Sequence, residues 1–232
     1  MTIKRSKNKF KKLLLIAGAV FACSLFICVF YFNRSQRETI PAISSSILIP
    51  YLNDGDILCR LGDRFWSLYF KDLSMEDKRF SHLGIVRVRD GIISVVNAEG
   101  HAPGRDDSVN EVSLEAFISV AKAVGIYRAN FIDGADLSNA ALEFIGLPFD
   151  WNFNLNDKTA IYCTELLSAV LDRVAPEIEI KTMFIKELGR DIIPLESISN
   201  SSDFTEIFFF SPNNLPMSPH AVTGKFSSCY SN

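Results

Sequence analysis

Residues 13–32, LLLIAGAVFACSLFICVFYF, carry neither a charge nor a proline. As a helix rising 1.5 Å per residue, a run of this length spans about 30 Å, the thickness of a bilayer's hydrocarbon core. Inside hydrocarbon only helices and closed barrels satisfy their own backbone polar groups, so a transmembrane helix is expected here. A cleaved signal peptide has an apolar region of only about 7 to 15 residues and a small-residue cleavage site, whereas this run ends in bulky Phe30, Tyr31 and Phe32. Val20-Phe21-Ala22-Cys23 resembles a lipobox, but the apolar stretch that follows makes lipidation of Cys23 the lesser alternative. Lys4, Arg5, Lys7, Lys9, Lys11 and Lys12 flank one side. They place the N-terminus in the cytoplasm and the remainder on the periplasmic or extracytoplasmic side of the inner (cytoplasmic) membrane, as a single-pass protein.

Charge narrows the partners. The chain has 24 Lys and Arg against 27 Asp and Glu, and six of the basic residues precede the apolar run, which leaves 18 against 27 beyond it. An outer part with net charge −9 argues against nucleic acid and for peptide, cell-wall or lipid-derived partners. Of five cysteines, Cys23 and Cys28 lie in the run, leaving Cys59, Cys163 and Cys229 outside it. In an oxidising compartment Cys59 and Cys229 can pair and leave Cys163 free, or all can stay reduced. No zinc-type ligand spacing, Walker, Rossmann or Gly-x-Ser-x-Gly signature occurs, so neither metal nor cofactor is expected. Oligomeric state is not legible.

Four regions follow: a basic tail (1–12), the membrane helix (13–32), a polar linker (33–46) and one domain (47–232). In the domain, Asp54-Gly55-Asp56 reads as a turn into the strand ILCRL, residues 64–70 as a short helix and SMEDKRF as a polar loop. SHLGIVRVRDGIISVVNAEG reads as two strands joined by Asp90-Gly91, a pair that favours a two-residue hairpin. Helices are expected over 113–121 and 136–146, strands at 124–129 and TEIFFF, and a further helix from about Cys163, with Asn156, Asp157 and Thr159 as candidate caps. Strands first and helices later, without regular alternation, imply an α+β fold with a mainly antiparallel sheet.

The hairpin carries a geometric consequence. With Asp90 and Gly91 as turn residues, cross-strand partners sum to 181, and His82 falls opposite Glu99. Directly opposed side chains have Cβ atoms about 4.5 to 5.5 Å apart, close enough for an imidazole and a carboxylate to bond, with Asn97 the next polar candidate on that face. Cys163, Leu166, Leu167, Val170 and Val174 share a helix face, a spacing that suits a packed core thiol. At a helix N-terminus beside an imidazole, however, a thiol is expected to have a lowered pKa and to act as a nucleophile.

The segments NDGDILCRL, SHLGIV, VVNAEG, GLPFDWNFNL, IYCTELL and SPNNLPMSP together resemble the YiiX/YebB-like group of NlpC/P60 cysteine hydrolases, a circularly permuted branch of the papain-like fold. The resemblance runs from about Asp54 to Pro219 and implies a curved antiparallel sheet or small barrel with the cysteine helix packed on it. It further implies a thiol hydrolase acting on an amide or ester through an acyl-enzyme, with Cys163 as nucleophile, His82 as general base and Glu99 as third polar residue. Tyr162 and Asp150 then border the substrate, with Tyr162 donating near the oxyanion; Glu165 caps or braces the helix, and Cys59 is core. Relatives cut peptidoglycan peptides, and permuted relatives handle lipid acyl groups. The rival expectations are therefore a lipid acyl hydrolase or acyltransferase, whose groove Phe65, Trp66, Tyr69 and Phe70 are placed to line, or a non-catalytic envelope-binding module. His101 and His220 read as isolated loop residues, and PNNLPMSPH as a segment packed near the domain.

Overall fold

The computed structural model describes residues 43–63, 65–101 and 107–212; the side chains at 65 and 66 lie outside the description. The apolar run, Cys23, Cys229, His220 and residues 213–232 also lie outside it, and with them the expected membrane helix, the lipidation alternative, the Cys59–Cys229 pairing and the packing of PNNLPMSPH. Among the described residues no helix is long and apolar enough to cross a membrane.

Ile43 is already buried, and α1 (Ser45–Leu48) begins within the stretch expected to be linker. The Asp54-Gly55-Asp56 turn leads into β1 (Ile57–Gly62), followed by α2 (Phe65–Asp72), β2 (His82–Arg89) and β3 (Ile92–Ala98). Then come β4 (Val109–Ser113), α3 (Leu114–Ile118), β5 (Ala121–Ala129), α4 (Gly134–Ala141) and α5 (Cys163–Val174). β6 (Met183–Ile185), β7 (Arg190–Ile192), α6 (Glu196–Ser199) and β8 (Phe204–Phe210) complete the order.

Asp90 and Gly91 both take positive φ, 54° and 77°, the conformation of the hairpin turn that matches strand twist. The ladder runs from Arg89 with Ile92 to Ile85 with Val96, in the expected register. β1 lies between β2 and β5 in a six-stranded antiparallel sheet of order β4-β3-β2-β1-β5-β8, and it is buried on both faces because an apolar layer packs on each side of that sheet. Its edges, β4 and β8, do not pair among the described residues, so the sheet is open rather than a barrel.

Strand alternation sends two sets of apolar side chains to opposite faces. Cys59, Leu83, Ile85 and Val96 pack against Leu137 of α4 and Leu166, Leu167 and Val170 of α5. Leu58, Val86, Val95 and Ile126 pack against Leu48 of α1 and Leu114 and Phe117 of α3. Each fully buried Leu or Val of α5 contributes about 1.5–3 kcal/mol, which fixes that helix on the sheet. β4 was not foreseen because VNEVS shows little apolar alternation. The β6–β7 hairpin was missed because its strands are only three residues long.

Candidate active site

Cys163 is the first residue of α5 and His82 the first of β2. The start of β2 is pinned to β1, since Ser81 N–H donates to Arg60 O (2.9 Å) and Gly62 N–H to Ser81 Oγ (3.0 Å). Along β2, Leu83 and Ile85 face α5 while Val86 faces the Phe117 layer, and the His82 ring lies on Phe117, 5.5 Å between centroids. Thiol and imidazole thus arise from opposite faces of the sheet and border one cleft at the end of the strand. Phe70, Leu73, Phe149, Phe153, Ile193 and Leu195 are among the walls of that cleft, which opens to solvent.

Burial pushes the Cys163 thiol up to about 11, against the pull of the Leu83 and Thr164 amides and the Arg60 charge. The expected lowering therefore does not describe the substrate-free site, where desolvation outweighs the helix N-terminus. The Leu83 amide beside the sulfur still places Cys163 one residue along the chain from His82. Burial likewise drives His82 down to about 4, with Arg60 acting the same way and Glu99 and Asn97 acting against it. Both groups rest uncharged at neutral pH.

The expected His82–Glu99 bond is replaced. His82 Nε2 lies 3.0 Å from Asn97 Oδ1, and Asn97 Nδ2 donates to Asn110 Oδ1 at 3.2 Å. Because Oδ1 can only accept, Nε2 carries the proton and Nδ1 holds the lone pair. Glu99 is instead paired with Arg60, whose guanidinium also donates to Phe117 O and lies over the Phe117 ring, 4.4 Å from its centroid. Arg60 stands directly across from His82 in the β1–β2 ladder. Sequence reasoning did not reach Arg60, although an arginine inside the apolar strand ILCRL was its visible trace. Gly100, beside Glu99, sits against Phe149 and Trp151, where an added Cβ would come within 2.7 Å of both rings.

The residues flanking Cys163 hold the cleft wall. Tyr162 OH accepts from Ile193 N–H (2.8 Å), and Thr164 Oγ1 donates to Ile193 O (2.6 Å). Tyr162 lines the cleft, but its hydroxyl fastens the wall rather than facing the oxyanion. Asp150 is not part of the lining: its carboxylate accepts from Asn152 N–H (2.7 Å) and Asn154 N–H (2.5 Å), holding a turn in which Phe153 reaches φ 52°. Tyr162, not the candidate caps, is the N-cap of α5, and Asp157 instead bonds Thr159. Glu165, in the first turn of α5, accepts from the Tyr162 amide, the backbone half of a capping box. Of the four aromatics expected to line a groove, Phe70 lines the cleft and Tyr69 is exposed, while the side chains of Phe65 and Trp66 lie outside the description. His101 is not isolated, since its Nδ1 lies 2.8 Å from Asp107 Oδ1. Cys59 is a buried free thiol, as expected for core.

Residues 51–220 match the family described as permuted papain-like amidase enzyme, YaeF/YiiX, C92 family. The chain belongs to this family. As a permuted papain-like amidase it is a thiol hydrolase of amide bonds. A solved structure described as the metalloprotein yiiX from Escherichia coli O157:H7 shares its fold, with TM-score 0.59 and 16% identity over 70% of this chain and 99% of that one. No curated protein matches the sequence. Among the described residues of this amidase, no group of three or more His, Cys, Asp or Glu is placed to hold a metal ion.

Proposed function

We propose that this amidase is anchored in the cytoplasmic membrane by residues 13–32 and cleaves an amide bond of a cell-wall peptide through an acyl-enzyme on Cys163. The observation that carries the reading is the orientation of His82: Asn97 occupies Nε2, which leaves the basic Nδ1 for the thiol that borders the same cleft. His82 Nδ1 takes the Cys163 proton as the sulfur attacks the carbonyl carbon. The Cys163 amide, a first-turn N–H with no intrahelical partner, holds the oxyanion. His82 then returns the proton to the leaving amine, and water, activated by the same nitrogen, releases the acid. With both groups neutral at rest, proton transfer accompanies attack rather than preceding it.

The apolar walls formed by Phe70, Leu73, Phe149 and Phe153 favour a second reading, removal or transfer of a lipid acyl group by the same thiol. The test is hydrolysis of diaminopimelate-containing peptides against N-acyl and O-acyl lipids by the wild type and by Cys163→Ala. Peptide release lost in the variant supports the first reading and fatty-acid release the second. Turnover retained in Cys163→Ala overturns both.

A further inference from the structure

We infer that Arg60 is the positioning residue that sets the charge balance of the Cys163–His82 pair by holding Glu99 away from the imidazole. The inference rests on the assignment of Cys163 and His82 above. Arg60 is 3% exposed, lines the cleft, and faces His82 across the β1–β2 ladder. Contacts that hold its guanidinium include the Glu99 carboxylate, the Phe117 carbonyl and the Phe117 ring, against which His82 also packs.

A carboxylate opposite His82 would bond the ring and favour imidazolium. With Glu99 tied to Arg60, the neutral Asn97 takes that place. Among the described residues, the charged and titratable groups around the thiol and the imidazole are Arg60 and Cys59 on β1, His82 on β2, Glu99 and His101 beyond β3, and Tyr162 and Glu165 at the start of α5. Among them Arg60 is the lone permanent cation. It favours thiolate, and at His82 its effect outweighs that of Glu99. Arg60 thus pulls against the burial that raises the thiol and, by engaging Glu99, leaves His82 neutral with its Nδ1 lone pair available for the Cys163 proton.

A merely structural salt bridge predicts lower stability on removal of either partner and no change in thiol titration. A carboxylate acting as the third catalytic residue predicts that losing Glu99 makes the thiol less reactive. Arg60 as charge setter predicts opposite signs for its two sides. The experiment is the rate of Cys163 carbamidomethylation by iodoacetamide at pH 8, located by peptide mass, in wild type, Glu99→Gln, Arg60→Gln and Arg60→Lys, with thermal melts alongside. At pH 8 the rate follows the thiolate fraction, so one unit of pKa reads as about tenfold. Glu99→Gln is expected to react severalfold faster, Arg60→Gln about tenfold slower, and Arg60→Lys to recover most of the loss. If Arg60→Gln does not fold, Glu99→Gln, which keeps the guanidinium, decides alone. A slower or unchanged Glu99→Gln thiol overturns the inference, as does an unchanged rate in folded Arg60→Gln. Because the readout is on the thiol, it stands apart from the turnover of Cys163→Ala, which tests the function itself.

Discussion

His82 and Asn97 are joined Nε2 to Oδ1 at 3.0 Å, although the β2–β3 register, continued past its last pair of Ile85 with Val96, would set Glu99 opposite the histidine. Asn97 wins because Glu99 is engaged by a buried arginine, and an ion pair with that partner outweighs a bond to a neutral ring. An amide thus orients the imidazole.

Asn97→Ala should lower kcat by about 10- to 100-fold with little change in KM, since the ring loses its tautomer and direction but the walls remain. Asn97→Asp should restore much of the rate and move the acid limb of the kcat/KM profile upward, because a carboxylate favours imidazolium. Steady-state kinetics across pH checks both.

Acid should destabilise the domain through His82. Its pKa falls from 6.5 to about 4 on folding, so the unfolded chain binds the proton more readily, and stability drops as pH falls from about 6.5 through 4. The loss amounts to roughly 3 kcal/mol at full effect. Denaturant melts at pH 7 and pH 4 should show this slope in the wild type and lose it in a folded His82→Gln variant.

Glu165 acts in the opposite sense. Burial and the nearby Asp150 push its carboxyl up to about 7 against the pull of Lys158, and Oε2 has no hydrogen-bond partner among the described residues. The folded state keeps the proton longer than the unfolded one, so stability is lost as pH rises from about 4.5 through 7. Glu165→Gln keeps an acceptor for the Tyr162 amide and should stabilise the domain by about 1–3 kcal/mol at pH 8 with little effect at pH 4, read as a higher Tm only at the higher pH.

Glu196 ties the segment before β2 to the cleft wall. Its carboxylate accepts the amides of Met75 (2.8 Å), Glu76 (2.6 Å) and Asp77 (3.1 Å), and Leu195 beside it lines the cleft. Glu196→Ala should cost about 2–4 kcal/mol by leaving those donors without their acceptor, and should raise KM more than it lowers kcat. Chemical denaturation and kinetics test the two effects.

Legibility in the sequence followed locality. The β2–β3 hairpin, its register and the helix beginning at Cys163 are set by short-range signals, Asp90-Gly91 and the apolar spacing of α5, and all were readable. Arg60 was not, because its partners Glu99 and Phe117 lie 39 and 57 residues away, across strand pairings that no local pattern announces. Glu99 and Asn97 were both visible on the correct face. Choosing between them needed the position of that arginine. The roles of Tyr162 and Asp150 were hidden similarly: Ile193 N–H arrives from a distant loop, and Asp150 is consumed by the amides of its own turn. The raised thiol pKa was concealed by burial, a tertiary quantity.

The central claim is that Cys163 becomes acylated with His82 as its base. The most direct measurement is peptide mapping by mass spectrometry after brief exposure of the protein to a short-chain p-nitrophenyl ester at pH 7.5, in wild type and His82→Ala. The account predicts one acyl group, on Cys163, and its loss in His82→Ala. Acylation at another residue, or equal acylation of Cys163 without the histidine, would contradict it.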